Sequence, residues 1–345
     1  MPNFSCGLLR LTRAALAGTA LFAALVAPAS AQKKNLNVMV DWIIQGTHAP
    51  FLVAEQKGYY KQNGLTVTVD PGKGATNVAV SVAGGAYDFG WIDLPTLIKF
   101  NAQNPNAALI ASYISFDQTP LAVITARSKN IKTVKDLNGK KILGGPGTAV
   151  YDTISILLKA AKAEDVKINW LPVQPSLFGP MMMRGEADGI GGFTNSNVPA
   201  LLEVGFKMED ISVLKYSDFG ADLYGLALVS TRKFADANPE SVRAMVASLN
   251  KGTIDTIKDP EGALKYLTSR DPLMKASLEK TRLDIALTMV HTDWVKKNGL
   301  SVVQPERMKR MIDSVVAAYA LPISPKPEDV YTDKFLPPVA ERMVK

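Results

Sequence analysis

Apolar and polar residues alternate near the start of the chain at Leu36, Val38 and Val40, and again at Leu65, Val67 and Val69. A period of two predicts strands with one buried face. Between the two runs lies an apolar segment opened by Pro50, where a helix loses no hydrogen bond, and closed by Lys57-Gly58, a cationic last turn with a left-handed stop. The pattern therefore spells strand, loop, helix, strand. The loop, Asp41 to His48 with Trp42 in it, is pinned at both ends.

The same logic continues. A glycine-rich turn at residues 71–77 leads into a short helix, and a third strand ends near Trp91 with a helix opening after Asp93. Further strands are expected at 108–115, 120–126, 168–173 and after Gly189. A second glycine turn, Gly144 to Ala149, feeds a helix from Tyr151 to about Ala163, whose Ile154, Leu157, Leu158 and Ala161 recur at helical spacing. The C-terminal third reads as helical, with Pro239, Pro260 and Pro305 each in a first turn.

Strands alternating with helices predict an α/β protein with mainly parallel sheets. The segment Asp41-Trp42 through His48, followed by Lys57-Gly58-Tyr59-Tyr60 and Gly64-Leu65, resembles the periplasmic solute-binding proteins of ABC importers. Within them it is most similar to the branch binding thiamine-pyrimidine precursors, with nitrate, sulfonate and taurine binders as relatives. The steps Arg184 to Gly189 and Val330 to Pro337 also resemble that family. The resemblance implies a type II periplasmic binding fold: two lobes, each a mainly parallel sheet flanked by helices, joined by two crossover segments that act as a hinge. The expected division is 32–122 plus 226–345 for the first lobe and 123–225 for the second.

In open α/β sheets, ligands gather at the carboxyl ends of strands, where loops and helix N-termini meet a crevice. That rule selects Asp41, Trp42, His48, Thr76, Asn77, Trp91 and Asp93 from the first lobe and Gly147, Thr148, Tyr151, Phe193 and Asn195 from the second, with Asp222 and Tyr224 on the return crossing. Aromatic faces would sandwich a planar ligand, and acids would accept from ring amines. Thr148 matches the hydroxyl that sulfonate-binding relatives place beside glycine, but an arginine to grip a sulfonate is not evident in these loops. Capping alone explains at least one of Thr194 to Asn197.

Composition narrows the chemistry. Arg10 and Arg13 precede an apolar run, Ala14 to Ala27, ending in an Ala-x-Ala site, which reads as a signal peptide cleaved after Ala31 and predicts a periplasmic protein. The run is shorter than the roughly 20 residues that span a bilayer. Cys6, the single cysteine, falls in that leader, so the exported chain has no disulfide, thiol nucleophile or cysteine metal site. Of the formal charge of +7, the leader carries +2 and no acid, leaving 7 − 2 = +5 on the exported chain. The lysines are dispersed, so nucleic acid is not an expected partner. About 314 residues favour two lobes over one core.

With two histidines, His48 and His291, nucleophilic triads and zinc sites lack their usual parts, and the methionine run 181–183 fits core filling better than metal binding. The expectation is a monomeric receptor without cofactor, metal or catalysis, partnered by a membrane permease and its ATPase. Three alternatives stay open: a receptor for a small anion, a structural periplasmic protein, and an enzyme resembling a fungal branch of the superfamily that makes the pyrimidine from its own histidine and a pyridoxal cofactor. His48 lies where such a histidine would be looked for, although that branch carries a cysteine cluster absent here.

Overall fold

The computed structural model describes residues 32–345; the expected leader, its cleavage point and Cys6 lie outside them. The described residues form ten strands: β1 (Asn35–Val40), β2 (Thr66–Asp70), β3 (Phe89–Asp93), β4 (Leu109–Ile114), β5 (Leu121–Ala126), β6 (Lys141–Leu143), β7 (Asn169–Leu171), β8 (Gly189–Phe193), β9 (Ile211–Lys215) and β10 (Leu226–Thr231). They make two five-stranded sheets, ordered β2-β1-β3-β10-β4 and β7-β6-β8-β5-β9. Within each sheet the strands joined through helices pair in parallel. One strand in each runs antiparallel to its neighbours: β10 in the first sheet and β5 in the second. Those two are the first strands laid down after the chain has crossed from the other sheet.

The expected two-lobe α/β architecture is thus present. The chain crosses at residues 115–120 and returns at 216–225. Leu121 and Ala122 already pair with Phe193 and Gly192, so the outgoing crossing lies just ahead of the expected 122/123 boundary.

In β1 the alternation does what the sequence pattern implies: Leu36, Val38 and Val40 are buried, while Asn35 and Asn37 are exposed. Helix Ala49–Gln56 covers this sheet and is itself covered by helix Pro239–Lys258, which explains why five of its eight residues are buried. Met182 lies in the second lobe's core while Met183 is exposed, the divergence expected of successive helical positions. His291 does not continue a helix as expected. It ends helix Ala276–Val290, because Thr292 behind it accepts from the Val295 N–H and starts a new one.

One side chain binds both crossings. Arg307, on helix Pro305–Tyr319, is buried; its Nη1 lies 2.9 Å from Asp117 Oδ1 and its Nη2 donates to Asp117 O at 2.8 Å and Leu223 O at 3.3 Å. Its Nε donates to Asp222 Oδ1 at 2.7 Å, and the guanidinium carbon lies 4.1 Å from the Tyr224 ring centroid. Removing one member of a buried pair strands the other charge, which typically costs 3–5 kcal/mol, whereas an exposed partner is worth about 1 kcal/mol or less. Arg307→Ala should therefore lower unfolding free energy by about 3–5 kcal/mol in urea titrations, and Asp222→Ala by less than about 1 kcal/mol. Equal effects would mean that Asp117 is not the partner that matters.

Candidate functional site

The loops after β1 and β6, the end of β8 and the start of the helix that follows it, Thr194–Glu203, meet the start of helix Ala75–Ala83 in a cleft between the two sheets. Asp41, Trp42, Gly74 and Ala75 line it from the first lobe; Thr148, Ala149, Val150, Gly191, Gly192, Phe193, Ser196 and Asn197 line it from the second. Its walls are close. Gly74 has φ +115°, and a Cβ there would sit 2.3 Å from Gly147 O, so this contact between the two glycine turns requires glycine on both counts. The remaining space is about 50 Å³, against roughly 300–1,000 Å³ for sites that enclose small organic ligands. Entry of such a ligand requires the lobes to part.

Hydrogen bonds hold the lobes in this arrangement. Asn195 Nδ2 donates to Thr47 Oγ1 at 2.7 Å, Gln45 Nε2 donates to Ser196 Oγ, and Thr76 Oγ1 donates to Asp152 Oδ2 at 2.6 Å. The Asp152 carbonyl also accepts from Lys99 Nζ at 2.9 Å and from the Tyr319 hydroxyl. Lys275 pairs with Glu203 across the other side, at 2.6 Å.

Asp41 is the one ionisable side chain lining the cleft. His48 orients it: the Gln45 N–H donates to His48 Nδ1 at 3.1 Å, which assigns the ring proton to Nε2, and Nε2 lies 3.1 Å from Asp41 Oδ1. With Nδ1 accepting, the ring is a neutral imidazole whose Nε2 proton faces Asp41. The short turn Gly46–His48 is itself docked through the Gly46 N–H, which donates to Glu279 Oε2 at 2.6 Å. A Cβ on Gly46 would stand 2.2 Å from the Glu279 carbonyl. Glu279 in turn pairs with Arg282 at 2.5 Å.

Asp41, Trp42, Thr148 and Phe193 thus come together in the cleft, and Gly147 abuts it. His48 stands behind Asp41, fully buried. Trp91 does not line the gap as expected. It is 2% exposed, its indole N–H donates to Ser115 Oγ at 3.2 Å, and its ring packs edge-on against His48, Phe51 and Phe116, because it points into the core beneath the loop. Thr76 and Asn195 bond across the lobes rather than facing the cleft. Asn77 is exposed on the outer side of its helix. Tyr151 turns away to pack on Trp170, with ring centroids 5.2 Å apart. Asp222 and Tyr224 belong to the Arg307 cluster, where the Tyr224 hydroxyl accepts from the Gln304 N–H at 2.8 Å.

Gly191 and Gly192, inside β8, and Ser196 and Asn197, in the first turn of helix Thr194–Glu203, carry no sequence signal that separates them from strand and cap residues. Glu279, 233 residues from the turn it holds, left no local signal.

The sequence matches the family described as NMT1/THI5 like over residues 45–263. The chain belongs to this family. Among curated relatives, a Haemophilus influenzae protein named for thiamine biosynthesis is 28% identical, covering 70% of this chain and 74% of its own. The formylaminopyrimidine-binding protein of Halalkalibacterium halodurans is 26% identical, covering 74% and 77%. The NMT1/THI5-like relatives also include enzymes: a 4-amino-5-hydroxymethyl-2-methylpyrimidine phosphate synthase of Schizosaccharomyces pombe is 22% identical, covering 77% and 80%. Among solved structures, the alkanesulfonate-binding protein SsuA of Xanthomonas axonopodis, bound to MOPS, superposes with a TM-score of 0.65 at 17% identity, covering 87% of this chain and 97% of its own. That likeness establishes the periplasmic binding fold. Among the described residues, no helix is long and apolar enough to cross a membrane.

Asp93 caps helix Leu94–Gln103, its Oδ1 accepting from the Thr96 N–H at 2.9 Å. Burial pushes its carboxyl up to about 6, against the lowering effect of that hydrogen bond and with Asp41 adding to the rise. A carboxyl raised on folding favours the native state below its unfolded value near 3.8, and that advantage is lost as pH climbs through the folded value. Asn caps as well as Asp and does not titrate. The unfolding free energy of Asp93→Asn relative to wild type should therefore rise by about 2 kcal/mol between pH 4 and pH 8 in urea titrations. A difference independent of pH would contradict the placement of Asp93.

Proposed function

We propose that this protein is the solute-binding receptor of an ABC-type importer, capturing a small planar heterocycle with N–H donors, such as a thiamine pyrimidine precursor, and delivering it to a membrane permease and its ATPase. The observation that carries this reading is the charge of the cleft. Asp41 is its only ionisable lining residue, it is held by a neutral histidine, and no lysine or arginine lines the cleft with it. A sulfonate or nitrate would meet an acid without a compensating cation, whereas an amine edge would meet an acceptor. Trp42 and Phe193 supply aromatic surface for a ring. The name of the Halalkalibacterium halodurans relative supports the same ligand class.

The protein acts without catalysis of its own. Both His48 nitrogens are engaged and the ring is sealed from the cleft, which speaks against a reacting histidine there. It works in the periplasm as a monomer, its leader removed after Ala31. The two bodies, divided at the crossings 115–120 and 216–225, move against each other and bend at those crossings, which Arg307 clasps. Ligand contacts made with both bodies shift the population toward the closed form, which the permease reads.

Titration of the purified protein, followed by tryptophan emission and melting temperature, tests this. Formylaminopyrimidine and hydroxymethylpyrimidine should give saturable changes, and taurine and nitrate none. Asp41→Asn should weaken the pyrimidines by about 10- to 100-fold, the usual effect of losing a hydrogen bond to a charged group. Saturation by the anions alone would replace this reading with that of an anion receptor.

A further inference from the structure

Asp41 has a second carboxylate for a neighbour. β1 and β3 run parallel and adjacent with Val40 opposite Trp91, so Asp41 and Asp93 leave the carboxyl ends of neighbouring strands at nearly the same level. Asp93 is fully buried. Its cap on Thr96 uses one oxygen, and the other, Oδ2, has no hydrogen-bond partner. Ser, Thr or Asn would cap equally well, so capping does not account for an acid here.

Nothing near this pair offsets its charge. Among the described residues no ion pair includes Asp93, and Asp41 is paired only with His48, whose ring is neutral. The other titratable groups that face Asp93 are Tyr216 from the second lobe and Tyr319 from helix Pro305–Tyr319, both phenols that burial keeps protonated. Lys99, on the helix that Asp93 caps, is turned to the Tyr319 ring and the Asp152 carbonyl. Two buried acids with spare acceptor capacity and no cation are costly in an empty protein. A donor carrying two hydrogens would relieve both.

The geometry points to Asp93 as the second acceptor of the site, so that Asp41 and Asp93 each take one hydrogen of a single ligand amino group once the lobes have parted to admit it. This rests on the receptor reading and sharpens it: the cleft selects a primary amine on the ring, not merely a ring. The raised carboxyl of Asp93 adds a corollary, because a ligand that binds the ionised form releases a proton at mildly acidic pH.

The test crosses one variant with one ligand change. Wild type and Asp93→Asn are titrated calorimetrically with 4-amino-5-hydroxymethyl-2-methylpyrimidine and with the analogue bearing hydrogen in place of the amino group. The Asn oxygen keeps the helix cap and puts an N–H₂ where the free oxygen was, so a native circular dichroism spectrum is expected. Asp93→Asn should weaken the amine by about tenfold or more and leave the analogue within about twofold. At pH 6, wild type should release about half a proton more than the variant when it binds the amine, read from two buffers of different ionisation heat. If the variant binds too weakly for that comparison, wild-type affinity for the amine should still climb between pH 5 and pH 7. Equal losses for both ligands, or no proton release with flat affinity, would overturn the assignment of Asp93 alone. Failure of wild type to bind either pyrimidine would remove the receptor reading, and this inference with it.

Discussion

The guanidinium of Arg307 joins the parts of this molecule that must stay together while others move. It bonds Asp117 on the outgoing crossing and Leu223 and Asp222 on the return, so both crossings are tied to one helix of the first lobe. Without that tie, the Asp117 carbonyl would lose its partner and the buried Asp117 carboxylate would keep only the Thr292 hydroxyl, a neutral donor in place of a cation, at a cost large against the usual margin of stability. With it, a change of angle between the lobes is confined to a few residues on either side of a fixed point.

The cleft follows a different logic. Its lobes touch through neutral hydrogen bonds between side chains, through one close contact of glycine turns, and through Asp152, which gathers Thr76, Lys99 and Tyr319. Such contacts are individually worth about 1 kcal/mol. They stabilise an approach of the lobes without locking it, which suits a site that a solute has to open. Asp41 at the cleft and Asp93 buried beside it are the opposite case: no cation offsets either acid, and stability is given up where binding can recover it.

Much of the fold was legible because it is local. Alternation at Leu36, Val38 and Val40, the proline at the head of the first helix and the glycine at its end mark elements that any part of the chain would form in that order. The strand-end rule then located the loop of Asp41 and Trp42 and the turn of Thr148. It failed where direction mattered. Trp91, expected at the end of its strand, lies in the middle of β3 and faces the core, and Tyr151 sits at a helix start yet packs on Trp170. A strand offers two faces and a helix several, and the sequence pattern does not say which neighbour claims an aromatic ring. The Arg307 cluster and the Glu279 dock join residues more than 80 positions apart, so they carry no periodic signal.

The central claim is that this cleft presents acceptors to an amine-bearing ring. A crystal structure of the protein with hydroxymethylpyrimidine tests it most directly. The account predicts the ring beside Trp42 and Phe193, with its amino nitrogen within hydrogen-bond reach of Asp41. A ring turned so that its amine faces solvent, or a ligand seated on the Thr148 turn away from Asp41, would contradict it.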